Sequence, residues 1–120
     1  IAGTDEELVK LIASILRTGN AERVVDYSDE TLEPMVKTGI ERARSHDFEL
    51  AEDIAAFVAV MFEISPTFDE NSEIKAILED TNFTVEERFK QLWGRIPDDV
   101  WKEVENKYDA RNWFRGENNQ

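Results

Sequence analysis

The chain has no cysteine, one histidine, five glycines and three prolines among its 120 residues. Without cysteine it can form neither a disulfide framework nor a thiolate metal site, which is typical of a protein in a reducing compartment. It has no run of about 18 apolar residues, so no transmembrane helix is expected, and no signal peptide is visible. These absences predict a cytoplasmic protein. Because the chain begins at Ile1 and not at Met, we expect its natural start to lie upstream.

Positive charge is also scarce, since 14 lysines and arginines face 27 aspartates and glutamates, for a net charge of −13. Such a surface repels phosphate backbones and anionic bilayers, so neither a nucleic acid nor a membrane is expected as partner. A basic protein would instead be attracted and steered into contact. The charge therefore favours a protein partner that carries positive charge.

The acids concentrate in one segment, residues 47–82, where a single base, Lys75, accompanies ten of them. Two interpretations stay open for this segment: an ordinary solvated face, or a docking surface for a cationic partner. The ten acids are Asp47, Glu49, Glu52, Asp53, Glu63, Asp69, Glu70, Glu73, Glu79 and Asp80.

Residues suited to catalysis are few. His46 is the one histidine, and its place between two predicted helices favours a role at a helix C-terminus over that of a base. The stretch 69–80 superficially resembles a calcium loop, but Ile74 stands where that loop requires glycine and Asp80 where it prefers glutamate. No Gly-rich phosphate loop, nucleophile elbow or zinc motif occurs. We expect no catalytic residue, no cofactor, no metal and no enzymatic activity.

Hydrophobic residues make up 41% of the chain, enough for one core, and they recur at helical spacing without sustained alternation. The spacing predicts helices over 5–18, 50–64, 71–79, 85–93 and 98–113, with 21–27 as a connection that either is irregular or contains a turn of helix. Thr4 with Glu7, and Thr84 with Glu87, have the capping-box spacing of a helix start.

Pro34 leaves two alternatives for one further helix, which either starts near Glu33 or starts at Asp29 and bends. Residues 50–64 carry apolar side chains around most of the helix circumference, as a central helix does. The sequence thus predicts an all-α, single-domain bundle of about six helices around residues 50–64. The domain would span 5–114, followed by a disordered tail over 115–120.

Three local patterns resemble a family of small helical proteins encoded in bacterial type VI secretion clusters, beside genes for spike, PAAR-tip and effector-adaptor proteins. The first runs from Leu32 to Gly39-Ile40-Glu41-Arg42-Ala43. The second is Glu52-Asp53-Ile54 with the apolar residues up to Phe62. The third is Ser65-Pro66-Thr67-Phe68-Asp69 with the following helix, where the family usually has glycine in place of Ser65.

The resemblance covers residues 32–104 and implies an accessory role in effector delivery in the bacterial cytoplasm. It favours a co-adaptor or chaperone that holds a secretion effector or its adaptor. An immunity protein that neutralises a basic toxin through its acidic surface is the alternative. The resemblance brings no catalytic residues with it.

Two patches are the candidate partner-binding sites. One is acidic and comprises Asp69, Glu70, Glu73, Glu79 and Asp80. The other is aromatic and comprises Trp113 and Phe114, for which two interpretations stay open. Either the C-terminus folds back onto the bundle, or these side chains form an exposed anchor, since tryptophan is enriched at binding hot spots.

Overall fold

A computed structural model describes residues 5–114, without the side chain of Phe114. Within that range the regular structure comprises seven α-helices and two 3₁₀ turns, with no strand, so the all-α prediction is confirmed. One of these seven helices, Ala21–Val24, is a single turn inside the segment predicted as a connection. The helices are α1 (Asp5–Gly19), α2 (Ala21–Val24), α3 (Asp29–Ser45), α4 (Ala51–Glu63), α5 (Ser72–Leu78), α6 (Val85–Arg95) and α7 (Asp98–Asn106), and the 3₁₀ turns are Phe68–Glu70 and Ala110–Phe114.

Two helix starts are fixed by side-chain caps. Ser28 caps α3 by accepting a hydrogen bond from the backbone N–H of Thr31, so α3 begins at Asp29 and continues through Pro34. The capping box before α6 is confirmed, because Thr84 Oγ1 accepts from the N–H of Glu87 while the Glu87 carboxylate accepts from the N–H of Thr84. The box predicted at Thr4 lies outside the described residues.

The C-terminus of α3 turns sharply at a left-handed residue. Asp47 has a φ of 71°, a backbone region in which glycine is the usual occupant. Its N–H donates to the Arg44 carbonyl, and the N–H of Phe48 reaches back to the Ala43 carbonyl. This pair of hydrogen bonds is the Schellman motif, and it sends Phe48 into the core beside the helix that it terminates.

The core is built around α4, as predicted. Its buried side chains are Ile54, Ala55, Phe57, Val58, Val60, Met61 and Phe62, and the helix packs against α1, α2 and α3. Gly39 brings α3 close to α4, since a Cβ at this position would lie 2.9 Å from Val58 Cγ2 and 3.3 Å from Met61 Sδ. Glycine is needed there for the distance between the helices, not for an unusual backbone angle.

The prediction of a single long helix over 98–113 is wrong. Helix α7 ends at Asn106, and the chain then forms the Ala110–Phe114 turn. That turn places Trp113 on Phe62 of α4, with ring centroids 4.3 Å apart, and the Trp113 indole donates to the Tyr108 hydroxyl at 3.2 Å. Burial of the Trp113 side chain against α4 favours this turn over a continued helix.

None of the helices in residues 5–114 has the length and apolar character needed to cross a bilayer.

Candidate partner-binding surface

Three acids of the predicted acidic patch lie on and after α5. Asn71 caps this helix by accepting from the N–H groups of Glu73 and Ile74. Ile74, Ile77 and Leu78 turn into the core, while Glu73 and the C-cap residue Glu79 are exposed. Asp80 is half-buried and accepts from the backbone N–H of Asn82. Among the described residues, no lysine or arginine forms an ion pair with Glu73, Glu79 or Asp80.

Asp69 does not belong to that exposed surface, which corrects its place in the predicted patch. Its side chain is only 5% exposed, and its two carboxylate oxygens accept from Arg42 Nε and from His46 Nε2, each at 2.7 Å. Glu70 is exposed, but its carboxylate accepts from the same Arg42 guanidinium at 2.6 Å. The 3₁₀ turn Phe68–Glu70 presents both carboxylates to the C-terminal half of α3.

Arg42 holds this cluster together. Burial lowers the pKa of its guanidinium, but the charge of Asp69 and the hydrogen bonds to Glu70 and Asp69 outweigh that effect, so the pKa of Arg42 is raised. His46 is the C-cap residue of α3 and packs against the ring of Phe57. The cluster ties the end of α3 to the loop before α5, and His46 takes the helix-terminal position that the sequence favours.

Six of the seven arginines in the described region, all but Arg95, are directed toward groups of this chain. Arg17 binds Asp29 and two backbone carbonyls, and Arg88 donates to the carbonyls of Leu78 and Phe83. Further ion pairs join Arg23 to Glu63, Arg44 to Asp5 and Arg111 to Asp109. These contacts occupy much of the scarce positive charge internally and leave exposed acids uncompensated.

Trp113, one of the two residues of the aromatic patch predicted at the C-terminus, is not an exposed anchor. Trp113 is 1% exposed and packs on Phe62. At this residue the chain folds back onto the bundle, as one of the two interpretations expected. The side chain of Phe114 lies outside the described residues, as does the tail over 115–120. The predicted surface therefore loses Trp113 as well as Asp69.

A different tryptophan is exposed, and the sequence-based reasoning missed it. Trp93 of α6 is 53% exposed and stacks on Trp101 of α7 with centroids 5.1 Å apart. The spacing of the apolar residues indicates this exposure. Leu92 and Ile96 are four apart and both buried, and Trp93 is rotated by about 100° from Leu92 around the helix, away from that buried side.

The stretch 69–80 does not form a calcium loop. It folds as the 3₁₀ turn Phe68–Glu70 followed by α5, so its acids point in different directions. Within residues 5–114 no group of three or more histidine or acidic side chains is arranged to hold a metal ion.

The chain matches no protein-family model, and neither a curated protein nor a solved structure is significantly similar to it.

Proposed function

We propose that this chain is a non-enzymatic protein-binding domain whose partner is a cationic protein. One observation carries the proposal: six of the seven arginines in the described region, all but Arg95, are engaged within the chain, while acids such as Glu73 and Glu79 stay exposed and without a basic partner in that region. Uncompensated negative charge on a surface accelerates association with a positively charged partner and sets its orientation.

The biological role that we propose is that of a co-adaptor or chaperone for a type VI secretion effector, acting in the bacterial cytoplasm without a cofactor. The support for this role is the resemblance over residues 32–104. A basic effector or its adaptor would supply the cationic surface. In this role the complex leaves the active site of the effector free, because the effector must act after delivery.

An immunity protein is the second candidate, and the same exposed acids favour it. A basic nuclease toxin carries its positive charge around its active site, so an acidic domain that covers the site would inhibit it. The two roles differ in one measurable property, the activity of the toxin while this domain is bound.

Capture of a partner with the tagged domain, followed by reconstitution from purified components, tests the proposal. The test variant is the triple substitution Glu73→Gln, Glu79→Gln and Asp80→Asn. A matched control changes net charge equally at exposed residues elsewhere, Glu22→Gln, Asp26→Asn and Glu30→Gln. Association rates of the purified partner are then measured at low and high salt for all three proteins.

We expect the test variant to associate several-fold more slowly at low salt than the control, with the difference shrinking as salt screens the charges. A purified partner that is not basic, or that binds all three proteins at one rate, contradicts the proposal. For a toxin partner, full activity in the complex favours the chaperone role, and blocked activity favours the immunity role.

A further inference from the structure

Trp93 is large, exposed and rigidly held, a combination that ordinary surface residues lack. Trp101 stacks on it with an interplanar angle of 18°, and Phe89 meets it at 87° with centroids 5.8 Å apart. Both arrangements are favourable aromatic geometries. An indole fixed by two neighbours loses little side-chain entropy when a partner binds, so its exposed part is ready for contact.

The two indoles belong to a closed ring of aromatic contacts that reaches the centre of the core. From Trp93 one arm passes through Phe89 to Phe48, and the other passes through Trp101 to Phe68. Both arms meet at Phe57 of α4, which contacts Phe48 at 5.2 Å and Phe68 at 4.9 Å. The exposed Trp93 is therefore braced by α4 through α6 and α7.

Acidic residues border this aromatic pair. Asp98 and Glu105 are exposed and lie three residues before and four residues after Trp101, on the same side of α7. On α6, Lys90 lies three residues before Trp93 and is paired with Glu86 at 3.3 Å, while Arg95 is exposed without an ion pair in the described region, as is Lys102 on α7. Over residues 86–105 six acids face four bases, so the surroundings of the exposed indole keep a small negative balance.

We propose that the Trp93–Trp101 pair is the anchor point for a cationic side chain, most favourably arginine, of the basic protein partner. This inference rests on the proposed function and names the chemistry of its contact. Tryptophan attracts cations to its ring more strongly than the other aromatic side chains. The planar guanidinium stacks on such a ring while its N–H groups bind nearby carboxylates, which lysine does less well.

The negative charge of the chain favours a basic protein segment over the other ligands that bind exposed tryptophans. A nucleic-acid base would stack on the indole, but its phosphates would be repelled by a chain with net charge −13. A second copy of the chain would carry the same charge and be repelled likewise. A basic protein segment satisfies both the aromatic ring and the acidic surroundings.

The test uses the full chain and two acetylated probe peptides of equal length and charge, one of alternating arginine and glycine and one of alternating lysine and glycine. Calorimetry at fixed low salt gives the dissociation constants, and NMR of the ¹⁵N-labelled chain follows the indole N–H of each tryptophan. The buried Trp113 is the internal reference. The variants are Trp93→Ala, Trp93→Phe and the control Leu11→Ala, since Leu11 is 51% exposed on α1.

We expect the arginine peptide to shift the Trp93 indole signal and to leave that of Trp113 in place. Trp93→Ala should bind it about two- to fivefold more weakly, Trp93→Phe should fall between, and Leu11→Ala should match the parent. The lysine peptide should bind more weakly than the arginine peptide.

Two results overturn the proposal, and they differ in what they leave standing. The first is that Trp93→Ala binds the arginine peptide as tightly as the parent, or that the parent's Trp93 signal does not move on binding. Either observation would exclude Trp93 as the anchor and would leave the proposal of a cationic partner intact. If neither peptide binds the parent at low salt, the anchor and the cationic partner both fail. Should Trp93→Ala not fold, Trp93→Phe and the parent's indole signals decide the same question.

Discussion

Arg42 and Asp69, 27 residues apart in the chain, meet with the arginine Nε 2.7 Å from the aspartate Oδ1. Asp69 is almost fully buried, and the side chain of Arg42 is 20% exposed. Removal of one member of such a pair leaves the other charge poorly solvated, which costs far more than the net value of the pair. The contact thus makes the fold depend on Asp69, whatever its part in binding.

Asp69→Asn keeps the shape of the side chain and removes its charge, so we expect a loss of about 2–3 kcal/mol in the free energy of unfolding. Chemical denaturation measures this loss. Glu86→Gln is the control, because it breaks the exposed pair with Lys90 and should cost less than about 0.5 kcal/mol. Equal losses for the two variants would show that the Arg42 cluster is no more important than a surface ion pair.

Gly39→Ala should destabilise the protein although alanine favours a helix. Its Cβ would lie 2.9 Å and 3.1 Å from the two methyl groups of Val58, whose β-branched side chain has little freedom to move. Overpacking costs about 1–3 kcal/mol, while the gain in helix propensity is about 1 kcal/mol. We expect a net loss of up to about 2 kcal/mol in denaturant unfolding.

Gly94 is the matched control for that substitution. It also lies within a helix, α6, but a Cβ there would meet nothing within 4 Å. Gly94→Ala should therefore raise the free energy of unfolding by about 0.5–1 kcal/mol. A gain at both glycines would mean that α3 and α4 can separate enough to admit a methyl group.

Asp47→Gly should stabilise the protein by up to about 1 kcal/mol, because the residue at this position has positive φ and glycine adopts that conformation without steric cost. Asp47→Ala should destabilise it, since alanine lacks the polar side chain with which aspartate tolerates the left-handed region. Thermal unfolding of the three proteins gives the order. An alanine variant more stable than the glycine variant would contradict the Schellman geometry.

Trp113→Ala should cost about 3–5 kcal/mol, as truncation of a fully buried tryptophan does. Trp93→Ala should cost about 1–2 kcal/mol, mainly through the lost stacking on Trp101 and Phe89. Denaturant unfolding of both variants checks the contrast. A small loss for Trp113→Ala would restore the exposed anchor that the sequence left open.

The capping box predicts a dependence of stability on pH. The hydrogen bonds with Thr84, led by that from its backbone N–H, lower the pKa of the exposed Glu87 carboxyl in the folded state. A lowered folded pKa gives stability that is present above the unfolded value of about 4.3 and is lost as pH falls through the folded pKa. Glu87→Gln keeps an acceptor and removes only the charge.

We therefore expect the parent to have a higher Tm than Glu87→Gln at pH 7. This difference in Tm should disappear as the solution is acidified below about pH 4. Thr84→Ala is the comparison, because it removes a neutral acceptor and should lower Tm at every pH. A Tm difference between parent and Glu87→Gln that persists unchanged in acid would exclude the charge as its cause.

Local signals in the sequence were sufficient for most of the helices. Thr84 and Glu87 mark the start of α6 by residue types three apart, and the apolar run of 50–64 identifies the central helix. Pro34 shows where such signals conflict, because it left two starts open for α3, which the cap contact between Ser28 and Thr31 resolved. Cap chemistry acts over one turn, so a sequence displays it directly.

The site needed information that lies far apart in the chain. Asp69 looked like one more exposed acid because Arg42 and His46, which bury it, come from another helix. Trp113 could be placed only once Phe62 and the break after α7 were known. Charge counts along a segment say nothing about the distant base that neutralises an acid.

The stack of Trp93 on Trp101 also makes the protein optically distinctive. Two indoles with centroids 5.1 Å apart and a small interplanar angle couple their electronic transitions, so the transitions split into two exciton states shared by the pair. Circular dichroism should therefore show an exciton couplet that depends on the mutual orientation of α6 and α7. Any event that slides one of these helices against the other changes the sign or size of that couplet, without a label and at micromolar protein.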